Sequence, residues 1–148
     1  MFPEVIITSS ASGYIPNVEK DFHNRIKRAF GTILTMIPGS EIFENVKLQI
    51  LKEGTAEDIV EQIIPEFFGG SGAHKNNCFP IAKNNFPLSN EWKNLKIDDG
   101  HCIEFEYIFY YDNCCKTHKR PIKIDWILKN FKDTILQCEK SGSFENGF

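Results

Sequence analysis

The chain has 148 residues, 20 acidic and 17 basic, for a formal charge of -3 and a pI near 5.8. That length is one domain, and 41% apolar residues with 13 Phe and 2 Trp supply a compact core, which excludes disorder throughout. The mild negative charge excludes broad electrostatic affinity for nucleic acid, and no apolar run approaches the roughly 18 to 20 residues that cross a bilayer.

The chain starts MFPEVIITSS, with Glu4 where a signal peptide carries Lys or Arg. The expectation is a cytoplasmic protein, or one delivered by a route without a cleaved signal peptide, with no membrane partner. Ser9, Ser10, Ser12 and Gly13 read as loop. Along residues 22–36, the spacing of Phe22, Ile26 and Phe30 fits an amphipathic helix, whereas residues 32–36 alternate like a strand and Pro38-Gly39 closes them. Residues 43–51 alternate at Val46, Leu48 and Ile50 as either a half-buried strand or a short helix. Residues 58–64 read as a buried strand, and Gly69-Gly70-Ser71-Gly72 as a flexible turn that lacks the lysine and helix start of a P-loop. Leu88, Trp92 and Leu95 share one face of a short helix.

The strongest signals come later. Residues 102–111 (CIEFEYIFYY) and 121–128 (PIKIDWIL) alternate as an antiparallel pair of strands joined by a polar loop. Phe131, Ile135 and Cys138 then suit a helix over residues 129–140 ahead of a loose tail. The resulting architecture is α+β: a central, mainly antiparallel β-sheet from strands near 32–36, 58–64, 102–111 and 121–128, with short helices packed on it.

Cys78, Cys102, Cys114, Cys115 and Cys138 are odd in number and unevenly placed, so free thiols are expected. Cys115 and His118 have ligand-like spacing, and Cys102 or Cys78 would complete a zinc set; the plainer reading is a polar loop with incidental thiols.

The order of landmarks carries a resemblance. Arg25-Ile26-Lys27-Arg28 precedes Gly31-Thr32-Ile33-Leu34; Gln49 and Lys52-Glu53-Gly54 follow; Ile63-Ile64 leads to Phe68-Gly69-Gly70-Ser71-Gly72. Asn77, Pro80, Glu91-Trp92-Lys93, a Tyr-rich strand and Lys119-Arg120-Pro121 complete the series. Over residues 21–128 this resembles the DNA/RNA non-specific endonuclease family of the ββα-metal superfamily, especially its bacterial nuclease-toxin branch. The resemblance implies a nuclease-like domain at 21–128, an N-terminal extension at 1–20, and a C-terminal helix and tail at 129–148.

In that family a histidine takes the proton from water, an asparagine on the next helix holds hydrated magnesium, and a glutamate one turn later holds the metal's waters. Aligned by the resemblance, the histidine position holds Gln62, within Ile59-Val60-Glu61-Gln62, and an amide is no base near pH 7. The asparagine position holds Leu88, the glutamate position reaches Lys96, and Asp98-Asp99-Gly100 cuts the helix short.

The resemblance therefore implies a pseudoenzyme: a nuclease frame that works by binding, most plausibly to a protein partner and only weakly to nucleic acid, with no cofactor expected. Two alternatives stay open. One is an active metal-dependent nuclease toxin, with Glu61 or His74 as base and Asn84 or Asn85 holding magnesium. The other is an immunity or decoy protein for a related nuclease. The candidate binding residues are Lys116, Lys119, Arg120 and Lys123 near Tyr110 and Tyr111, and the aromatics Phe67, Phe68, Phe79 and Trp92. Loop solvation for the cations and core packing for the rings are the structural explanations to set against these roles. Arg25, Lys27 and Arg28 read as an exposed face, and His101 as the residue that opens a strand.

Overall fold

A computed structural model of the chain describes residues 7–53, 57–82, 87–112 and 120–146. Among the described residues nine strands run in chain order: β1 (Thr8–Ser10), β2 (Gly13–Ile15), β3 (Asn17–Lys20), β4 (Ile26–Ile33), β5 (Ile59–Gln62), β6 (Cys78–Ile81), β7 (His101–Tyr110), β8 (Lys123–Lys132) and β9 (Ile135–Glu145). One α-helix, α1 (Glu44–Glu53), lies between β4 and β5, and 3-10 turns cover Glu66–Phe68, Lys75–Asn77 and Leu88–Trp92.

The alternation read at 102–111 is what builds the centre of the fold. Along β7 the side chains alternate so that Ile103, Phe105, Tyr107 and Phe109 are buried. Each such side chain contributes about 1.5–3 kcal/mol relative to exposure. On the opposite face Glu106 pairs with Arg28 at 2.5 Å, and Glu104 approaches Lys129 at 3.9 Å. The five-stranded antiparallel sheet runs β3-β4-β7-β8-β9, while β1-β2 and β5-β6 are separate two-stranded antiparallel pairs. The core lies between the inner face of the large sheet and the segments after β5 and β6, where Ile63, Ile64, Phe68, Leu88 and Trp92 pack. A smaller cluster seats α1 through Val46 and Ile50 on Cys78. No helix among the described residues is long and apolar enough to cross a membrane.

This architecture overturns the α+β reading with short helices packed on a central sheet: the molecule is mostly antiparallel sheet with a single α-helix among the described residues. The helix expected at 129–140 is instead the end of β8, a two-residue turn and β9. Asp133 and Thr134 both take positive φ, 49° and 69°, the conformation of a tight turn whose twist suits antiparallel strands. The strand at 58–64 shortens to β5 and pairs with β6 outside the central sheet. The strand near 32–36 is the tail of β4, which ends at Ile33. Of the stretch read as an N-terminal extension, residues 8–20 form β1, β2 and β3, and the last of these is an edge of the main sheet.

Candidate functional site: a carboxylate-lined cleft beside Glu61 and Gln62

The loop that anchors the resemblance, read as a flexible turn, is buried from Phe68 to Gly72 and tied by hydrogen bonds. Asn77, fully buried, donates through Nδ2 to the Ile64 and Ser71 carbonyls at 3.1 and 3.0 Å and accepts the Ile64 N–H at 2.8 Å. At Gly70 a Cβ would fall 1.7 Å from the Ile64 carbonyl oxygen, so only glycine fits. The Tyr14 N–H donates to the Gly69 carbonyl at 2.7 Å, which ties this loop to β2.

That scaffold fixes β5, and β5 places Glu61 and Gln62 in a cleft of about 750 Å³ bounded by α1 and the Pro65–Phe67 segment. Gln62 is buried; its Nε2 donates to the Ser40 carbonyl at 2.8 Å, while Oε1 has no hydrogen-bond partner. Glu61 is also buried and accepts the backbone N–H groups of Leu88 and Ser89 at 3.1 and 2.9 Å. Burial pushes its carboxyl above the usual range, and the Ser89 N–H, the Ser89 side chain and the Leu88 N–H pull part of that shift back. The rim carries exposed Glu41, Glu44 and Glu66 against a single exposed Lys47. Asp58 also faces the cleft, but Arg120 holds it in a buried ion pair at 2.5 Å. Apolar surface comes from half-exposed Phe67 with Ile42, Leu51 and Ile59.

The residues singled out from the sequence separate. Glu61, Gln62 and Phe67 meet in the cleft, and His74 is an exposed residue outside its lining. Phe68, Phe79 and Trp92 are core residues. Arg120 is 5% exposed and committed to Asp58, and Lys123 lies over the Tyr110 ring at 4.6 Å, 3.9 Å from Asp125. Asn84, Asn85, Lys116 and Lys119, with Cys114, Cys115 and His118 of the zinc reading, lie outside the described residues. Cys78, Cys102 and Cys138 are in no disulfide, and burial pushes Cys78 up to about 12. His101 opens β7, with its ring against the Asp98 carbonyl. Arg25, read as exposed, is buried.

The magnesium set that the resemblance implies does not fit the side chains described. Leu88 is packed in the core, Lys96 is exposed with its backbone bonded to Asn130, and Gln62 holds the histidine position. No three His, Cys, Asp or Glu side chains converge on a metal position among the described residues. Sequence reasoning misses the rim carboxylates, because Glu41 and Glu44 at the start of α1 and Glu66 after β5 sit on two segments that only the fold brings together. No local spacing announces them.

A solved structure described as an extracellular endonuclease is similar to this chain, with a TM-score of 0.59 at 9% identity, over 96% of this chain and 83% of that one. No protein-family model and no curated protein matches the chain. At that identity the likeness is one of fold, and the chain has a nuclease-like fold.

Proposed function

We propose that this chain is a nuclease-fold binding protein that does not hydrolyse nucleic acid, and that its cleft takes a basic segment of a protein partner. The observation that carries this reading is Gln62 in the position where the resemblance expects the catalytic histidine, buried and bonded to the Ser40 carbonyl. A neutral amide there supplies no base for water. Around it, three exposed glutamates and one lysine make the rim net negative, which repels a phosphodiester backbone and attracts Lys or Arg side chains. Phe67, Ile59 and Leu51 add apolar surface for the stems of such residues.

One observation favours a rival reading, an active nuclease: burial raises the Glu61 carboxyl toward the range of a general base. Both of its oxygens are already occupied by backbone N–H groups, which weighs against that role. The deciding experiment incubates purified protein with supercoiled plasmid and with RNA, in magnesium or manganese, with EDTA and the Glu61→Ala, His74→Ala variant as controls. The expected result is no cutting by folded protein, with saturable, salt-sensitive binding of an Arg-rich peptide that Glu41→Gln/Glu66→Gln weakens. Metal-dependent cutting lost in the Glu61, His74 variant overturns the proposal.

A further inference from the structure

The acidic cleft holds a buried acceptor that the fold leaves open. Gln62 is 8% exposed, and its Oε1 is buried without a hydrogen-bond partner. The orientation of this amide is fixed. Nε2 donates to the Ser40 carbonyl at 2.8 Å, and Ser40 is itself held at two points. Its N–H donates to the Gly70 carbonyl at 3.0 Å, and its Oγ accepts the Gly72 N–H at 2.9 Å. A flipped amide would set Oε1 against the Ser40 carbonyl oxygen, so the position left open is an acceptor. A buried polar atom without a partner is rare, and its usual explanation is a bound group or a water. Whatever completes this one is a hydrogen-bond donor.

The rest of the lining says which donor. Exposed Glu41, Glu44 and Glu66 stand against Lys47, a field that draws in a cation. Asp58 adds nothing to that field, because Arg120 neutralises it. Glu41 directly follows Ser40 in the chain, so a rim residue adjoins the carbonyl on which the Gln62 amide lies. Half-exposed Phe67 brings an aromatic ring to the same space, with Leu51 and Ile59. A lysine ammonium is a compact, strongly hydrated point charge, and one neutral carbonyl is a poor exchange for its water. A guanidinium is more weakly hydrated, sends donors from a planar fork to two acceptors at once and stacks on an aromatic face.

We propose that the cleft is an arginine pocket. One arginine side chain of the protein partner enters it, donates to Gln62 Oε1 and to a rim carboxylate, and lays its guanidinium on Phe67. This rests on the reading that the cleft takes a basic segment, and adds to it a choice of arginine over lysine and the residues that make the choice.

The test measures binding to the purified chain, at constant ionic strength, of glycine-spaced peptides identical except that the repeated residue is arginine, lysine or citrulline. Fluorescence anisotropy gives the affinities, and the side-chain amide resonance of Gln62 reports on the pocket floor. The arginine peptide should bind about tenfold tighter than the lysine peptide, the worth of one well-made hydrogen bond, and should alone shift the Gln62 amide. Gln62→Met should bring the arginine peptide down to the lysine level and leave the lysine peptide unchanged. Phe67→Leu, at a half-exposed position that spares the core, should narrow the same gap whether or not Gln62→Met folds. Equal binding of arginine and lysine peptides, both weakened by Glu41→Gln/Glu66→Gln, would overturn the arginine pocket while the basic-segment reading stands, and would leave water as the partner of Oε1. Citrulline binding as tight as arginine would overturn it too, since the charge would then go unread. Binding of none of these peptides would overturn both readings.

Discussion

Trp92 Nε1 donates to Tyr107 Oη at 2.9 Å inside the core, where both side chains are essentially inaccessible to water. The bond joins the 3-10 turn that carries Glu91-Trp92-Lys93 to the central strand β7, and Trp92 also packs its ring against Phe68 and Phe105. The tryptophan of the sequence resemblance is therefore a structural fastener, not a surface anchor. Tyr107→Phe leaves the indole N–H buried and unpaired, at a cost of about 1–3 kcal/mol. Urea unfolding of Tyr107→Phe, Trp92→Phe and the double variant should give a double-variant loss smaller than the sum of the two single losses. Strict additivity would show the bond to be energetically empty.

Arg120 illustrates how a basic cluster in a sequence misleads. Next to Lys119 and Lys123 it reads as a phosphate contact, but its guanidinium is buried against Asp58. Arg120→Met removes one partner of a buried pair and should destabilise by about 3–5 kcal/mol, because it takes the guanidinium away from a buried carboxylate. Asp58→Asn/Arg120→Met, which removes both charges, should recover part of that loss in the same unfolding measurement. A loss below about 1 kcal/mol for Arg120→Met would place the pair in the class of surface ion pairs.

What the sequence discloses and what it hides follow from local against distant determinants. Strand β7 is legible because it buries alternate residues over a long run, and β8 because its sequence alternates Ile124, Trp126 and Leu128 with Asp125 and Ile127 opposite them, so the period-two signal is strong. The turn between β8 and β9 is hidden because Asp133-Thr134 takes a conformation usually supplied by Asn-Gly or Asp-Gly. The spacing of Phe131, Ile135 and Cys138 then imitates a helix face. Gln62 is visible by counting from the glycine-rich loop, whereas the carboxylate rim and the buried Arg25 arise from contacts between segments far apart in sequence. No periodicity encodes such contacts.

The glycine-rich loop should be as sensitive as any core position. Asn77→Ala leaves the Ile64 and Ser71 carbonyls and the Ile64 N–H without this partner, and should cost more than about 3 kcal/mol. Gly70→Ala drives a methyl group into the Ile64 carbonyl and should prevent folding, which far-UV circular dichroism and size-exclusion chromatography would register. A soluble, native-like Gly70→Ala protein would mean that the loop yields more readily than its packing implies.

Glu61 supplies a pH signature of known sign. Its folded-state carboxyl titrates above the unfolded value because burial disfavours the ionised form. Below the ordinary glutamate range both states are protonated and no penalty applies. As the pH rises, the unfolded chain releases its proton first, so this group's contribution falls until the folded carboxyl has also ionised. Glu61→Gln removes the titration; one oxygen still accepts an N–H from Leu88 or Ser89, and the loss of the other acceptor is a pH-independent offset. The stability of Glu61→Gln relative to the wild type should therefore increase as the pH rises out of the ordinary glutamate range and level off once the folded carboxyl has ionised. Paired denaturant melts across that window give the slope directly. A flat or falling difference would mean that the hydrogen bonds from Ser89 and Leu88 outweigh burial, which would leave Glu61 an ordinary ionised carboxylate and remove the one observation that favours it as a general base.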